Sequence, residues 1–535
     1  MSRCQEKEGG ISLPRDKTRK GNAPMKETIP ALCDCPDSVE DLRPRLQENL
    51  DRLIEYCESC PLSFFEFEKT VFARLRVLGC LLVSLFLLSR HRRLEVSAWL
   101  GEYRLVDGWV PRRLKTVFGT VRYRRAYLAR RDGRGGFHPL DAVLGLTRDL
   151  FSPWVIALGT RLTTRLSFQT SKLVFLAFWG WSPSTEALEH LVLGLGRLAE
   201  AYMSSAPPFP VAEGEVLVIE VDGKAAPIAT AAELQRRRGS RQPRRRACAC
   251  GCQRHRGKAL RQARGPRKRR KKGDKSKHGR SATLVVMYTL RRGDDGLLHG
   301  PINKRVWGSF APRPVMLEWA RAEATRRGFP PDTSKRVYLL VDGEKCLALR
   351  LKKLFPNAVV TLDIRHVEEK LWLAGCAFHA EGSPELVEWV DELRTVLYQE
   401  GGGALLKVVQ ERLRCVAPRG PGTKRKRQVL AKLIEYVEPR LDMMAYPEYL
   451  RQDMPVATGI VEGAVRHVVG ERMDCSGMRW VEGKGEAVLR LRCIEVNGLW
   501  DHFFDWCQQH WQERLRRKEA VLIRTEKAIP LPEAA

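Results

Sequence analysis

This 535-residue chain has no apolar run that reads as a membrane span. The most apolar one, VLGCLLVSLFLL at 77–88, falls well short of the roughly 20 residues a crossing helix needs, and it reads as a buried helix. The N-terminus, MSRCQEKEGGISLPRDKTRK, has no apolar core, so no export signal is expected. Fifteen cysteines, an odd number, in a chain without such a signal argue against a disulfide framework and for mostly free thiols in a reducing compartment. Acidic residues are also scarce. There are 63 against 93 Lys and Arg, a formal charge of +30. That balance speaks of partners rather than fold and points to a polyanionic one. A soluble, cytoplasmic, nucleoid-associated protein with no membrane partner is the expectation.

The excess charge is concentrated. Between 236 and 280 there are 21 Lys and Arg and one acid, Asp274, so 21 − 1 = +20 of the +30 lies there. We read this stretch as an arm gripping phosphates without sequence preference, against the bland alternative of a solvated charge run. Its candidate contacts are Arg244, Arg245, Arg246, Arg267, Lys268, Arg269, Arg270, Lys271 and Lys272. Cys248, Cys250, Cys252 and His255 inside the arm, and Cys57 and Cys60 with Cys33 and Cys35 upstream, follow no standard zinc spacing. Free thiols are therefore expected, with zinc the less favoured alternative.

Five segments follow from composition and pattern. Residues 1–36 are polar and predicted to lack a packed structure. Residues 37–205 read as mainly helical and as the DNA-binding region. A helix begins near Ser38 with Asp41 three residues on, and carries Leu46, Leu50, Leu53, Ile54 and Cys57 at helical spacing. The stretch 94–128 mixes strand-like alternation with basic residues. Within 151–202, SKLVFLAFWGW is followed by SPSTEALEHLVLGLGRLAEAY, where Ser182, Pro183 and Glu186 mark a helix start. The pair is either a helix-turn-helix or an ordinary αα-hairpin.

From 211 to 375 the pattern changes to strands at 215–222, 281–290 and 303–307, a helix at 314–328, a strand at 336–342, a helix at 344–355 and a strand at 358–364. Three strands in a row argue for a meander, and the later alternation argues for parallel additions to the same mixed sheet. Residues 376–450 read as a helical insertion and 451–535 as helices that complete the site.

Two of these strands end in the same device: EVLVIEVDGK and RVYLLVDGEK, with carboxylates at Asp222 and Asp342. Asp-Gly alone is a turn signal. Two copies on similar buried strands hold two carboxylates side by side at a sheet rim. Glu462 is the choice for a third, near the start of a late helix with Ile460, Val461, Val465 and Val468 as its apolar stripe; the alternative is a first-turn glutamate favoured by the helix dipole. Three carboxylates suit Mg²⁺ (or Mn²⁺), and two such ions about 3.5–4 Å apart serve in-line attack on a phosphodiester. Asp222 would bridge both ions, Asp342 and Glu462 holding one each. Asp363 is a ligand, a group orienting His366, or a helix cap. Arg466, His467, Arg472, Arg479 and Trp480 follow Glu462 as candidate contacts to DNA phosphates or a flipped or frayed end base, with a core or surface role as the alternative for Trp480.

The strings VDGEKCL, FPNAVVTLDIRHVEEKLW and GIVEGAVRHVVGERMDCSGMRW resemble bacterial insertion-sequence transposases of the DDE class, nearest the ISKra group. The resemblance covers about 215–510 and, more weakly, the region from about 116 (VFGTVRYRRAYL, then HPLDAVLGL). It implies an RNase H-like core, an α/β fold with a mixed five-stranded sheet, interrupted by a helical insertion. It implies an Asp on the first strand, an Asp at the fourth strand's end and a Glu after the insertion; Asp222, Asp342 and Glu462 fall there. Asp363 and His366 form a D-x-x-H similar to the C-x-x-H of Mutator-like transposases, which implies a supporting role. The paired cysteines common in relatives are missing from LARRDGRGGFHPLD at 128–141, so a zinc ribbon there is not expected. The implied activity is binding of element ends and target duplex DNA by a homo-oligomer, strand cleavage, and joining of the 3′-OH to target DNA. The rivals are an RNase H-like nuclease or resolvase that never joins, and a domesticated DNA-binding protein without catalysis.

Overall fold

The computed structural model describes residues 32–34, 38–60, 62–94, 99–133, 135–229, 233–235, 279–475 and 478–518. Nearly all of the basic arm, with all nine of its candidate contacts and Cys248, Cys250, Cys252 and His255, lies outside the described residues, as does most of 1–36.

The N-terminal region is helical with a small sheet set into it. Strand β1 (Leu32–Asp34) runs parallel to β3 (Thr120–Arg130), which pairs antiparallel with β2 (Tyr103–Lys115) and with the short β4 (Gly136–Phe137). The helix Val39–Ser59 is capped by Ser38, whose hydroxyl accepts from the Asp41 N–H at 3.0 Å. The apolar run at 77–88 is only the second half of a longer helix, Phe64–Arg92. At 29 residues that helix is long and apolar enough to cross a membrane by length and composition, which corrects the expectation that it is too short. Its buried residues, among them Cys80, Leu81, Leu87 and Leu88, pack on the protein.

Helices Phe168–Trp179 and Thr185–Ser204 form the expected pair. The second is capped by Ser184 rather than Ser182. It is a core helix: Leu188, Leu191, Val192, Leu195, Ala199, Tyr202 and Met203 are buried. A Cβ at Gly196 would meet that of Ala487 at 2.4 Å, so this helix and Glu482–Val496 touch backbone to backbone. The face that carries these residues is packed in the core, and Glu186, His190, Arg197 and Glu200 are exposed.

The second region is a mixed α/β unit built on a five-stranded sheet of order β7-β6-β5-β8-β9. Strands β5 (Val216–Pro227), β6 (Gly279–Arg292) and β7 (Leu298–Ser309) form an antiparallel meander. Strands β8 (Arg336–Val341) and β9 (Val359–Leu362) add in parallel to β5. The expected order β-β-β-α-β-α-β is present, with helices Arg313–Arg326 and Lys345–Leu354 as the crossovers. This topology is compatible with an RNase H-like core. Beyond β9, residues 364–475 are helices and turns without a strand.

Two strands differ from the sequence reading by more than two residues at one end. Strand β5 does not stop at Asp222: it pairs with β6 as far as Pro227↔Gly279, while its parallel partner β8 ends at Val221↔Val341. Strand β7 is longer than 303–307, because HGPINK is held in the sheet with Asn303 in the left-handed region at φ 52°, where Asn is tolerated.

Candidate active site

The site grows from the register of the parallel strands. Val221 faces Val341 and Val341 faces Leu362 across the sheet. The next residue on each strand is an aspartate: Asp222, Asp342 and Asp363. Where β8 and β9 stop, β5 continues, and the three aspartate positions lie side by side in register at that step.

Asp342 is set by local chemistry. Its Oδ1 accepts from the Glu344 N–H at 3.0 Å, and Gly343 turns the chain at φ +89°. A Cβ at Gly343 would meet the Leu362 side chain and the Tyr436 hydroxyl at 2.8 Å, so the turn is also tightly covered. Arg440 Nε donates to the Gly343 carbonyl at 2.8 Å. Asp342 and Asp363 help push the Tyr436 hydroxyl up to about 12, after burial, which is the main cause.

Asp222 is half-buried. Burial pushes its carboxyl above the ordinary range, and the neighbouring Asp342 and Glu462 push it further, while the Gly223 N–H and His366 pull it down. Asp222, Asp342, Glu462 and His366 therefore share one electrostatic site. The two neighbouring carboxylates raise Asp222 and His366 opposes them. Among the described residues no three His, Cys, Asp or Glu side chains are gathered closely enough to hold a metal as they stand. The all-carboxylate donor set fits a hard divalent ion.

The helix that carries Glu462, Gly459–Val465, is tied to the sheet by two buried carboxylates. Glu220 shares a face of β5 with Asp222 and is fully buried. It accepts from the Val461 N–H at 2.7 Å and from the Tyr288 hydroxyl at 2.8 Å. Burial is the main reason its carboxyl rises to about 7; Asp363 and Glu462 add to the rise and its two hydrogen bonds oppose it. Asp363, also fully buried, accepts from the Arg365 N–H at 2.8 Å as the cap of helix Ile364–Gly375, and from the Thr458 hydroxyl. The Thr458 carbonyl in turn accepts from the Glu462 N–H at 3.0 Å. Of the three roles open to Asp363, the structure supplies the cap, and adds an anchor for the next helix. His366 leans towards Glu369, with Nδ1 3.6 Å from its carboxylate, and not onto Asp363. Glu462 itself is exposed, and a π-helical turn, Arg466–Gly470, follows it.

The proposed contacts after Glu462 divide. Arg466 and His467 are exposed, His467 paired with Glu471 at 2.8 Å. Arg472 is buried, which corrects its reading as a phosphate contact, and Trp480, also buried, takes the core role left open for it. Arg472, only 1% exposed, donates to the Thr163 carbonyl at 2.8 Å and lies 4.7 Å from the Trp480 ring. Burial, with the nearby Arg492, lowers its guanidinium to about 10. Together with Arg492, which reaches the Thr164 carbonyl, it satisfies the C-terminal carbonyls of helix Pro153–Arg165. Trp480 bridges to Ile228 past the end of β5 and donates its indole N–H to the Met473 carbonyl at 3.0 Å. Arg479 is committed to Glu233 at 2.6 Å. Upstream, Cys57 and Cys60 are free thiols.

Sequence reasoning missed Glu220, Thr458 and Tyr436. A single acid inside VLVIEV was the signal for the first. The other two carry none, since their partners are distant in sequence.

No protein-family model matches the chain, and no curated protein matches it. Among solved structures, the Drosophila P element transposase strand transfer complex is similar to it. The likeness spans 65% of this chain and 93% of that one at 11% identity and a TM-score of 0.28. So weak a likeness fixes neither the fold nor the chemistry of this chain.

Proposed function

We propose that the protein is a DNA transposase of the DDE type with an RNase H-like core, and that Asp222, Asp342 and Glu462 are its catalytic carboxylates. The observation that carries this is the register: Asp222 and Asp342 follow paired residues on adjacent parallel strands, and a helix tied to the same strand brings in Glu462. The strongly basic composition supplies the polyanionic substrate, duplex DNA at element ends and target.

The three carboxylates would hold one or two Mg²⁺ or Mn²⁺ ions, which when bound supply Lewis-acid activation of the attacking oxygen and neutralisation at the leaving oxygen. The chain's own work is positional. The β8 turn at Gly343 fixes Asp342, β5 fixes Asp222, and Glu220 with Asp363 fixes the helix of Glu462. His366 supports the site electrostatically from helix Ile364–Gly375. Cleavage and joining are the same in-line displacement with water or a 3′-OH as nucleophile, so one site serves both.

Asp222→Asn, Asp342→Asn and Glu462→Gln should each reduce Mg²⁺-dependent strand cleavage by at least about 10³-fold while end binding stays near wild type. Cleavage at wild-type rates in all three variants refutes the assignment. A strand-transfer assay with pre-cleaved ends separates a transposase, which gives joined product, from a nuclease, which does not.

A further inference from the structure

The helical block at 376–450 has no role in the reading above, and its charge distribution gives it one. It contains eleven acidic and eleven basic side chains, so it is neutral overall. Seven of the eleven basic ones fall between 412 and 427, where there is no acid. A neutral domain that gathers its cations at one tip presents a field there that its net charge conceals.

The tip is built, not merely charged. It joins helix Gly402–Cys415 to helix Thr423–Val437 through PRGPG. Phe378 and Trp389 stack at 5.7 Å, with Lys426 5.0 Å from the first ring and Arg412 4.9 Å from the second. Arg427 holds the incoming strand of the loop through the Leu413 and Val416 carbonyls. These contacts leave Arg414, Arg419 and Lys424 exposed, and among the described residues they make no ion pair. The N-terminus of Thr423–Val437 opens at the same place without a side-chain cap, adding the positive end of its dipole.

That helix also fixes where the tip lies relative to the chemistry. Its far end carries Tyr436, whose hydroxyl lies against Gly343 beside Asp342 and Asp363. Lys424 and Tyr436 are twelve residues apart on one helix, about 18 Å at 1.5 Å per residue. Duplex DNA rises about 3.4 Å per base pair, so that span is roughly five base pairs.

We propose that this tip is a second phosphate-binding surface, gripping the duplex backbone about five base pairs from the scissile bond. The inference rests on the transposase reading for the identity of the polyanion, and it gives the insertion the task of aligning DNA on the candidate carboxylates.

The test is the triple variant Arg414→Ala, Arg419→Ala, Lys424→Ala in the full chain, compared with wild type in DNA binding across a salt series. Removing three phosphate contacts should lower the slope of log K against log salt by about 2.7, at most about a 500-fold loss at 0.1 M salt. The loss should appear with duplexes extending at least about five base pairs beyond the cleavage position and vanish with shorter ones. Phosphate-ethylation interference should show the same spacing. An unchanged slope on every duplex overturns the proposal while the function reading stands. A slope loss equal on short and long duplexes overturns the placement. Failure of wild type to bind DNA at all overturns the function reading, and the proposal with it.

Discussion

Truncating Glu220 tests how the site is assembled. Glu220→Ala leaves two buried donors, the Val461 N–H and the Tyr288 hydroxyl, without their acceptor. Each unsatisfied donor costs about 1–3 kcal/mol. Tyr288 belongs to the central sheet, so its share lowers the stability of the whole fold. The Val461 share is relieved if helix Gly459–Val465 lifts and its N–H meets water. Favouring the lifted state by about 1–3 kcal/mol shifts that equilibrium roughly 5- to 150-fold, and Glu462 leaves with the helix. The expected result is a one- to two-decade fall in the apparent affinity for Mg²⁺ in the cleavage assay, with DNA affinity near wild type. Amide exchange at 459–465 should quicken relative to β5. Glu220→Gln keeps an acceptor for Val461 and should recover most of the loss. Wild-type Mg²⁺ dependence and unchanged exchange in Glu220→Ala, with only a uniform loss of stability, would refute the anchoring. Titration adds a second readout. Burial raises Glu220 to about 7, above the ordinary carboxyl value of 4.5. Between those values the native state binds more protons than the unfolded one. This contribution is therefore largest below pH 4.5 and is lost as the pH rises to about 7. Over that window wild type should lose stability relative to Glu220→Gln; parallel curves contradict the assignment.

Two further substitutions separate local geometry from surface chemistry. Gly343→Ala places a Cβ where φ is +89° and where Leu362 and Tyr436 already lie 2.8 Å away, so it should cost about 1–3 kcal/mol in denaturant unfolding and depress cleavage through Asp342. Arg472→Met should destabilise by about 2–4 kcal/mol, because the C-terminal carbonyls of helix Pro153–Arg165 lose a buried donor, yet leave the salt dependence of DNA binding unchanged. A reduced salt slope in that variant would return Arg472 to the DNA surface.

Much of the sheet was legible because its information is local. Each core strand is a short aliphatic run bounded by turn residues, and Asp342 announces itself by the Gly343 that must follow it. Asp222 is not the strand end that the sequence suggests. Asp-Gly here is not a turn: β6 continues to pair with β5 after β8 has stopped, and no local signal in β5 reports where a neighbour ends. Glu220 was passed over for a related reason. Its partner Val461 lies 241 residues away, so nothing beside it in sequence distinguishes an anchor from a mispriced strand residue. Arg472 and Trp480 misled because an arginine and an aromatic in a basic tail suggest phosphate and base. Their real partners are helix-end carbonyls and backbone strands, which composition does not encode.

The tie between Glu220 and Val461 also bears on how the protein is made. On the ribosome β5 emerges well before the helix that bears Glu462, and Glu220 cannot accept from the Val461 N–H until residue 461 has cleared the exit tunnel. A nascent chain that has not reached 459 therefore carries Asp222 and Asp342 without Glu462. Prematurely terminated products that stop short of 459 share that incompleteness. Synthesis order leaves every unfinished copy without the helix that carries Glu462.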